Sequence, residues 1–438
     1  MPRRRLPVTL AVAAALTSTF AASPPGAVAA EAGAWRADLS IVDSDDVGVT
    51  SDGGSVRLDR SAPRPASART AQRSGYLLLA PHDLAAPADT VAAAVRGHVP
   101  EGAEVAVDVR GALAGGQWTE WVEARPDAPA ALPAVRTVQA RLHLTAAAEQ
   151  DASGERRPDG RRGPSGGQEP GASGEREVGR GPVVDEVVLT PSTTRPPGEP
   201  AGRRAAGIPP SGYSFRVFAT REGLVGGTTA NGHVITERDH FAALPSRRGL
   251  ATKDTGTYTV QVCAANGRCE WAPVWDVGPW NTRDDHWNLA DTREMWQDLP
   301  HGKPEAQAAH QDAYNGGKDQ FGRQVANPAG IDLADGTFWD GLALTDNSWV
   351  TVTYLWTGTG PAGTVASGGL PLEVRDGPAT TAPPVGLAVD KAQVRAECGI
   401  TGEVVTGSQG TSDVWVRVAA GMYLAKVNLI GVPELPAC

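Results

Sequence analysis

The segments Trp275-Asp276-Val277-Gly278-Pro279 and Gly330-Ile331-Asp332-Leu333 decide how this 438-residue chain is read. Each sets a single Asp among apolar residues, and the first ends in a Gly-Pro stop. In a barrel of short strands, two such segments place two carboxylates at the mouth of one groove. Two facing carboxylates are the minimum equipment for cutting a polysaccharide or gripping it.

Around these segments a middle block runs from about 212 to 357. Tyr213 to Thr220, Tyr258 to Val262, Trp271 to Asp276 and Trp349 to Trp356 have strand patterning. A helix is expected between Pro300 and Asn315, with Pro304 in its first turn and Gly316-Gly317 stopping it. A shorter helix after Asp332 would carry Phe338 and Leu342 on one face. Between the two Asp segments lies an insertion, residues 281–327, with Trp280, Trp287 and Trp296 in or beside it. It either walls the groove, its Trp faces stacking on sugar rings, or packs on the barrel as a lid with its Trp buried. Asp284, Asp285, His286 and Asp291 lack the ordered spacing of a Ca²⁺ loop and read as a solvated acidic loop.

The N-terminus has the pattern of a signal peptide over residues 1–30. Arg3-Arg4-Arg5 precede an apolar run from Leu6 to Ala22, and Ala27-Val28-Ala29-Ala30 offers a cleavage site. The remaining chain is then expected to be exported, with no membrane span. Its formal charge of −10 falls by about three more when those Arg are removed, which argues against a nucleic-acid partner. Residues 35–145 alternate as strands, for example Glu104 to Arg110 and Val138 to Leu144, and read as a β-sandwich. Trp118 and Trp121 in it are read as core. Residues 146–181 are Gly, Arg, Glu, Pro and Ser with few apolar residues, a disordered insertion. Val183 to Leu189 then returns to the sandwich as a strand, and 191–211 is a Pro/Gly linker. Residues 362–438 have short strands broken by Gly and Pro, as a small barrel does. The four cysteines suit an oxidising compartment. Three pairings are possible; proximity favours Cys263 with Cys269, as a hairpin stapled across an Asn-Gly turn, and Cys398 with Cys438.

Ordered motifs within the middle block carry a resemblance. Thr228-Thr229-Ala230-Asn231-Gly232 resembles the T-A-N-G segment of rare lipoprotein A-like double-psi β-barrels. Tyr258 to Val262, Asn266-Gly267-Arg268 and Val274 to Pro279 are similar to that family's strand, N-G-R turn and strand ending D-R-G-P. Ile331-Asp332-Leu333 resembles its I-D-L-S segment. Expansins and family 45 endoglucanases share this barrel, so the resemblance implies a polysaccharide groove. It implies Asp276 as the barrel Asp, Asp332 as the expansin Asp, and Thr220, from Ala219-Thr220, as the expansin Thr, with Arg221 in place of the family's aromatic. The catalytic His of the lytic members, in A-H-x-T-L-P, carries to His240 of His240-Phe241-Ala242-Ala243-Leu244-Pro245, which has one extra residue. Val277 stands where the family has Arg. The last block, in Leu372 to Thr380, Val385-Gly386 and Trp415 to Val418, resembles bacterial SH3 domains, which attach secreted enzymes to cell walls.

The expectation is thus an all-β chain: an N-terminal β-sandwich, a six-stranded double-psi β-barrel with a partly helical insertion, and a C-terminal SH3-like small barrel. Asp276, Asp332 and His240 are the candidate catalytic residues; Thr220, Asn231, Trp280 and Trp287 are the candidate glycan contacts. The expected partner is a cell-wall polysaccharide or peptidoglycan, met by a monomer without cofactor or metal. Binding or loosening without hydrolysis is favoured because His240 is displaced in the motif. The alternatives are a lytic transglycosylase or glycosidase with Asp276 as acid/base, and a protein-interaction or inhibitor module. In a further reading the two Asp only bond backbone amides at the strand crossings.

Overall fold

A computed structural model of the chain describes residues 33–64, 72–147, 181–194 and 209–438. The expected signal peptide, nearly all of the Gly/Arg/Glu insertion and most of the Pro/Gly linker lie outside the described residues.

The N-terminal domain contains β1 (Trp35–Arg36), β2 (Val49–Asp52), β3 (Ser55–Leu58), β4 (Ser74–Leu78), β5 (His82–His98), β6 (Glu104–Gly111), β7 (Val122–Glu123), β8 (Ala130–Thr145) and β9 (Val183–Ser192). Their order is β2-β3-β9-β5-β8-β6-β7, with β1 on β9 and β4 on β8. Hydrogen bonds link all nine strands of the sheet through long members shared between its parts. β8 pairs with β5 over its first half and with β4 and β6 over its second, so it joins both parts of the sheet. Val56, Leu77, Val91, Val109, Val138, Leu142, Val187 and Leu189 meet in its core.

The middle block is a closed barrel of β10 (Tyr213–Arg221), β11 (Ala242–Leu244), β12 (Thr259–Cys263), β13 (Cys269–Val277), β14 (Ala329–Leu333) and β15 (Ser348–Tyr354). The order β11-β14-β10-β15-β12-β13 closes through a β11–β13 pairing. Two of its pairings are parallel, β10 with β14 and β11 with β13. Period-two alternation sends Val217 and Ala219, Val260 and Val262, Ala272 and Val274, Ile331 and Leu333, and Val350 and Val352 into one core. Burying a side chain of this size contributes about 1.5–3 kcal/mol. The two Asp segments are thus the ends of β13 and β14.

The insertion packs on the barrel, with Trp287 in the barrel core, Pro304 against Gly330 and Gly302 against Phe215. Its one α-helix, α1 (Glu305–Asp312), begins after Pro304, a favourable N-terminal position for proline, and ends at Ala313 in the left-handed conformation. Phe338 and Leu342 lie in and beside a helical turn at Thr337–Gly341, both in the barrel core. Asp284, Asp285 and His286 are fully buried, which corrects the reading of a solvated acidic loop. Each is matched to a partner: Arg293 and the Glu305 N–H on Asp284, Arg248 and the Glu294 N–H on Asp285, and the Tyr354 hydroxyl at 2.6 Å from His286 Nε2. Buried charge of this kind survives only when paired. Asp291 alone stays exposed.

The C-terminal block contains β16 (Ala362–Val365), β17 (Leu372–Arg375), β18 (Pro384–Ala388), β19 (Gln393–Arg395), β20 (Cys398–Gly407), β21 (Gly410–Ala419), β22 (Met422–Ala425) and β23 (Leu429–Ile430). β18 lies parallel to β13, so this block extends the barrel's own sheet. Trp415 is buried within it, its indole N–H donating to the Glu403 carbonyl at 3.0 Å. Disulfides join Cys263 to Cys269 and Cys398 to Cys438. No helix among the described residues is long and apolar enough to cross a membrane.

Candidate functional site: a carboxyl cluster at the barrel mouth

β11 is the hinge of the site. Ala243 pairs with Asp276 on one side and Asp332 on the other, so both carboxylates stand at the same level of the barrel. On the next strand, Thr220 is the register partner of Asp332, and its hydroxyl donates to Asp332 Oδ1. The chain leaves β10 through Glu222, whose N–H still bonds the Leu333 carbonyl. Being two residues on from Thr220, Glu222 projects to the same side.

Glu222 is the residue that the sequence reading passed over. Burial, then the charge and direct contact of Asp276, and then Asp332 and Asp335 keep it protonated well above the ordinary carboxylate range. Among the described residues, no N–H or hydroxyl donates to either of its oxygens. Asp276 is in the opposite condition. It is fully buried, and its Oδ1 accepts the backbone N–H groups of Ala230 at 2.7 Å and Val277 at 2.8 Å. Backbone donors of this kind stabilise a carboxylate, and the charge of Asp276 is one of the causes that raise the proton affinity of Glu222. The signal in the sequence was the alternation itself: an acid two places beyond the Thr that faces Asp332.

Thr220, Glu222 and Asp332 line a cleft of ≈ 350 Å³ together with Trp280, Arg323 and Asn327, and Asp276 is buried behind it against Glu222. Trp280 is half-buried at φ 62°, a strained conformation for a bulky residue. Its indole N–H donates to Asn327 Oδ1 at 3.1 Å and its carbonyl accepts from Arg323 at 2.6 Å, which fix the ring at the cleft wall. Arg221 lies at the rim, paired with Asp335 at 2.7 Å and stacked on the half-exposed Trp339 at 4.8 Å.

Of the seven candidates from the sequence, the structure brings four together here: Asp276, Asp332, Thr220 and Trp280. Three lie elsewhere. His240 contacts Glu270 at 3.2 Å. His240 lies three residues before Ala243, but its ring turns to Glu270 on β13 and does not line the cleft. Burial opposes the charged form of His240, but Glu270 outweighs it and holds the imidazole proton above the ordinary range. Asn231 is buried in its turn, bonded through its side-chain oxygen to Thr229 at 2.7 Å and through its N–H to the Trp275 carbonyl. Trp287 is fully buried in the barrel core, stacked on Tyr354 with ring centroids 4.9 Å apart. Large aromatic surface is worth most when fully buried, which is why this Trp packs inward while Trp280 stays at the wall.

The fold and site define a closed six-stranded β-barrel protein with Glu222, a carboxyl of raised proton affinity, and Asp332 at one cleft and Asp276 buried beside Glu222. Residues 213–353, which span the barrel from the start of β10 almost to the end of β15, match a family model described as Domain of unknown function (DUF8814). No curated protein and no solved structure matches the chain.

Proposed function

We propose that this is an exported, cell-wall-directed protein whose barrel cleft binds a glycan strand and cleaves it by acid catalysis. In this reading the barrel is double-psi and the C-terminal block is an SH3-like tether. The two parallel pairings inside a closed six-stranded barrel support the first assignment. The disulfides are compatible with export.

One observation carries the reading: Glu222, its proton affinity raised by burial and by Asp276, lines the same cleft as Asp332. Glycosidic cleavage needs that asymmetry, an acid to protonate the leaving oxygen and an anion to face the charge that develops at the anomeric carbon. Glu222 gives its proton to the glycosidic oxygen as the C1–O bond breaks. Asp332, oriented by Thr220, faces the anomeric carbon. The freed Glu222 carboxylate then takes the proton of the incoming nucleophile, either water or the sugar's own hydroxyl. Trp280 supplies an apolar wall for a sugar ring. Binding without cleavage is the second reading, favoured because His240 bonds Glu270 and does not line the cleft.

Purified peptidoglycan incubated with the chain tests this. Anhydro-muropeptides mark internal attack by a sugar hydroxyl, and new reducing ends mark attack by water. Either product should vanish in Glu222→Gln. Product formed equally well by Glu222→Gln overturns the mechanism, and retention on the wall without any product leaves the binding reading.

A further inference from the structure

The Thr229–Gly232 turn is the point at which the N-terminal domain reaches the carboxyl cluster. Inside the turn, the Thr229 hydroxyl donates to Asn231 Oδ1 at 2.7 Å and the Gly232 N–H to the Thr229 carbonyl at 3.0 Å. The turn's product is the Ala230 N–H, aimed at Asp276 Oδ1. Two residues of the N-terminal domain press on it from outside. The Tyr76 hydroxyl donates to the Asn231 carbonyl at 3.3 Å and accepts the Lys253 N–H at 3.4 Å. Val47 covers Gly232 so closely that a Cβ there would lie 2.6 Å from Val47 Cγ2, and φ 86° at Gly232 independently favours glycine.

Val47 and Tyr76 act as one unit, since they exchange backbone hydrogen bonds of 3.0 and 2.9 Å. Both are buried. Burial raises the Tyr76 hydroxyl's proton affinity beyond its ordinary range, so it remains a donor at any working pH. Beside the turn is a cavity of ≈ 120 Å³ between the domains, bordered by Tyr76, His143, Arg247, Ala230 and Val277. On that side, then, the turn leans on Val47 and Tyr76.

We propose that the N-terminal domain is a positioning element of the cleft: Val47 and Tyr76 fix the Thr229–Gly232 turn, which in turn fixes the Asp276 carboxylate beside Glu222. Neither residue touches the cleft. They act through the Ala230 N–H, and the domain is thereby part of the site. This rests on the carboxyl cluster being the working centre of the proposed glycan cleavage.

The charged groups facing Glu222 are Asp276, Asp332 and Asp335, with Arg221 and Arg323 on the cleft walls. The test is a carboxyl-carbon NMR titration of the full chain, without glycan, in Tyr76→Phe and Val47→Ala. The Glu222–Asp276 pair loses its protons at two midpoints that belong to the pair. A slackened turn weakens the Ala230 N–H bond to ionised Asp276, so the lower midpoint should rise by roughly half a unit or more. Leu84→Ala, a core truncation elsewhere in the same domain, should lower the unfolding temperature without moving either midpoint. Unchanged midpoints in folded Tyr76→Phe and Val47→Ala overturn the proposal; should Tyr76→Phe fail to fold, Val47→Ala decides alone. Because the titration uses no glycan, absence of wall products from the wild-type chain overturns the cleavage reading and not this one.

Discussion

Glu120, carried on the N-terminal domain, accepts the indole N–H of Trp287 at 2.6 Å in the insertion packed on the barrel. The same carboxyl group takes the indole N–H of Trp356 at 2.5 Å and the side-chain amide of Asn288 at 2.7 Å. One acidic side chain thus satisfies three donors from the insertion and the barrel's last turn. Nearby, Trp121 lies between the guanidinium groups of Arg110 and Arg141, 4.2 and 4.4 Å from its ring, and Arg141 donates to the carbonyls of Arg247 and Leu250. The two domains share one polar interior.

Removing that carboxyl should therefore unfold more than a local contact. Glu120→Ala leaves two buried indole N–H groups and an amide without their acceptor. Each orphaned donor costs about 1–3 kcal/mol, and shared relaxation brings the expected total to roughly 3–5 kcal/mol. Urea unfolding measures it. A loss under about 1 kcal/mol would mean that water replaces Glu120 and that the interface is looser than its hydrogen bonds imply.

Trp280 and Trp287 are seven residues apart, yet their substitutions should have opposite signatures. Trp287→Ala empties a fully buried core position and should cost about 3–5 kcal/mol of stability. Trp280→Ala should leave the unfolding midpoint nearly unchanged and weaken retention on purified wall by roughly tenfold, the worth of one aromatic wall contact. Equal retention by wild-type and Trp280→Ala protein would remove Trp280 from the binding surface.

The raised proton affinity of Glu222 gives the pH dependence its direction. An acid catalyst works while protonated, so cleavage should persist to a pH well above the ordinary carboxylate range and fall as Glu222 finally ionises. Thr220→Val removes the hydroxyl that orients Asp332 and should lower the rate about tenfold without displacing that limb. Asp276→Asn removes the neighbouring charge and should move the limb to lower pH. A limb at the same pH in Asp276→Asn would separate Asp276 from Glu222 electrostatically.

Strand periodicity marked four of the barrel's strands, and the closed barrel itself was legible only through the family resemblance. Asp276 and Asp332 end alternating apolar runs, and Asn266-Gly267 marks the hairpin that Cys263 and Cys269 close. The level at which the two Asp meet was not legible, because it is set by the register of both strands on Ala243. What the sequence hid depends on contacts remote along the chain. Glu222 follows Arg221 in an unremarkable polar stretch, and only the packing of β11, β13 and β14 around it makes it an acid. His240 carries the motif of a catalytic residue, but its place on the chain leads to Glu270 and not to the cleft. The insertion's Asp284-Asp285-His286 run reads as solvated because its partners Arg248, Arg293 and Tyr354 are distant or belong to other elements. Composition reports charge; it does not report who neutralises it.

Glu294 offers a test of that buried network through stability alone. It lies against Arg248 and Arg283 at 3.8 and 3.6 Å. Burial, opposed by Arg247, Arg248 and Arg283 and reinforced by Asp285, pushes its carboxyl from an ordinary 4.5 up to about 7. Between those values the folded protein holds a proton that the unfolded chain has released. The stabilisation is therefore complete below about 4.5 and is lost as pH rises through about 7. Glu294→Gln keeps the volume and cannot ionise. Its stability relative to the wild-type chain should improve between pH 4.5 and 7.5 by on the order of 2 kcal/mol. Urea unfolding of both proteins across that window measures the difference. A relative stability that is flat, or that turns against Gln as pH rises, would mean that the three Arg hold Glu294 ionised throughout.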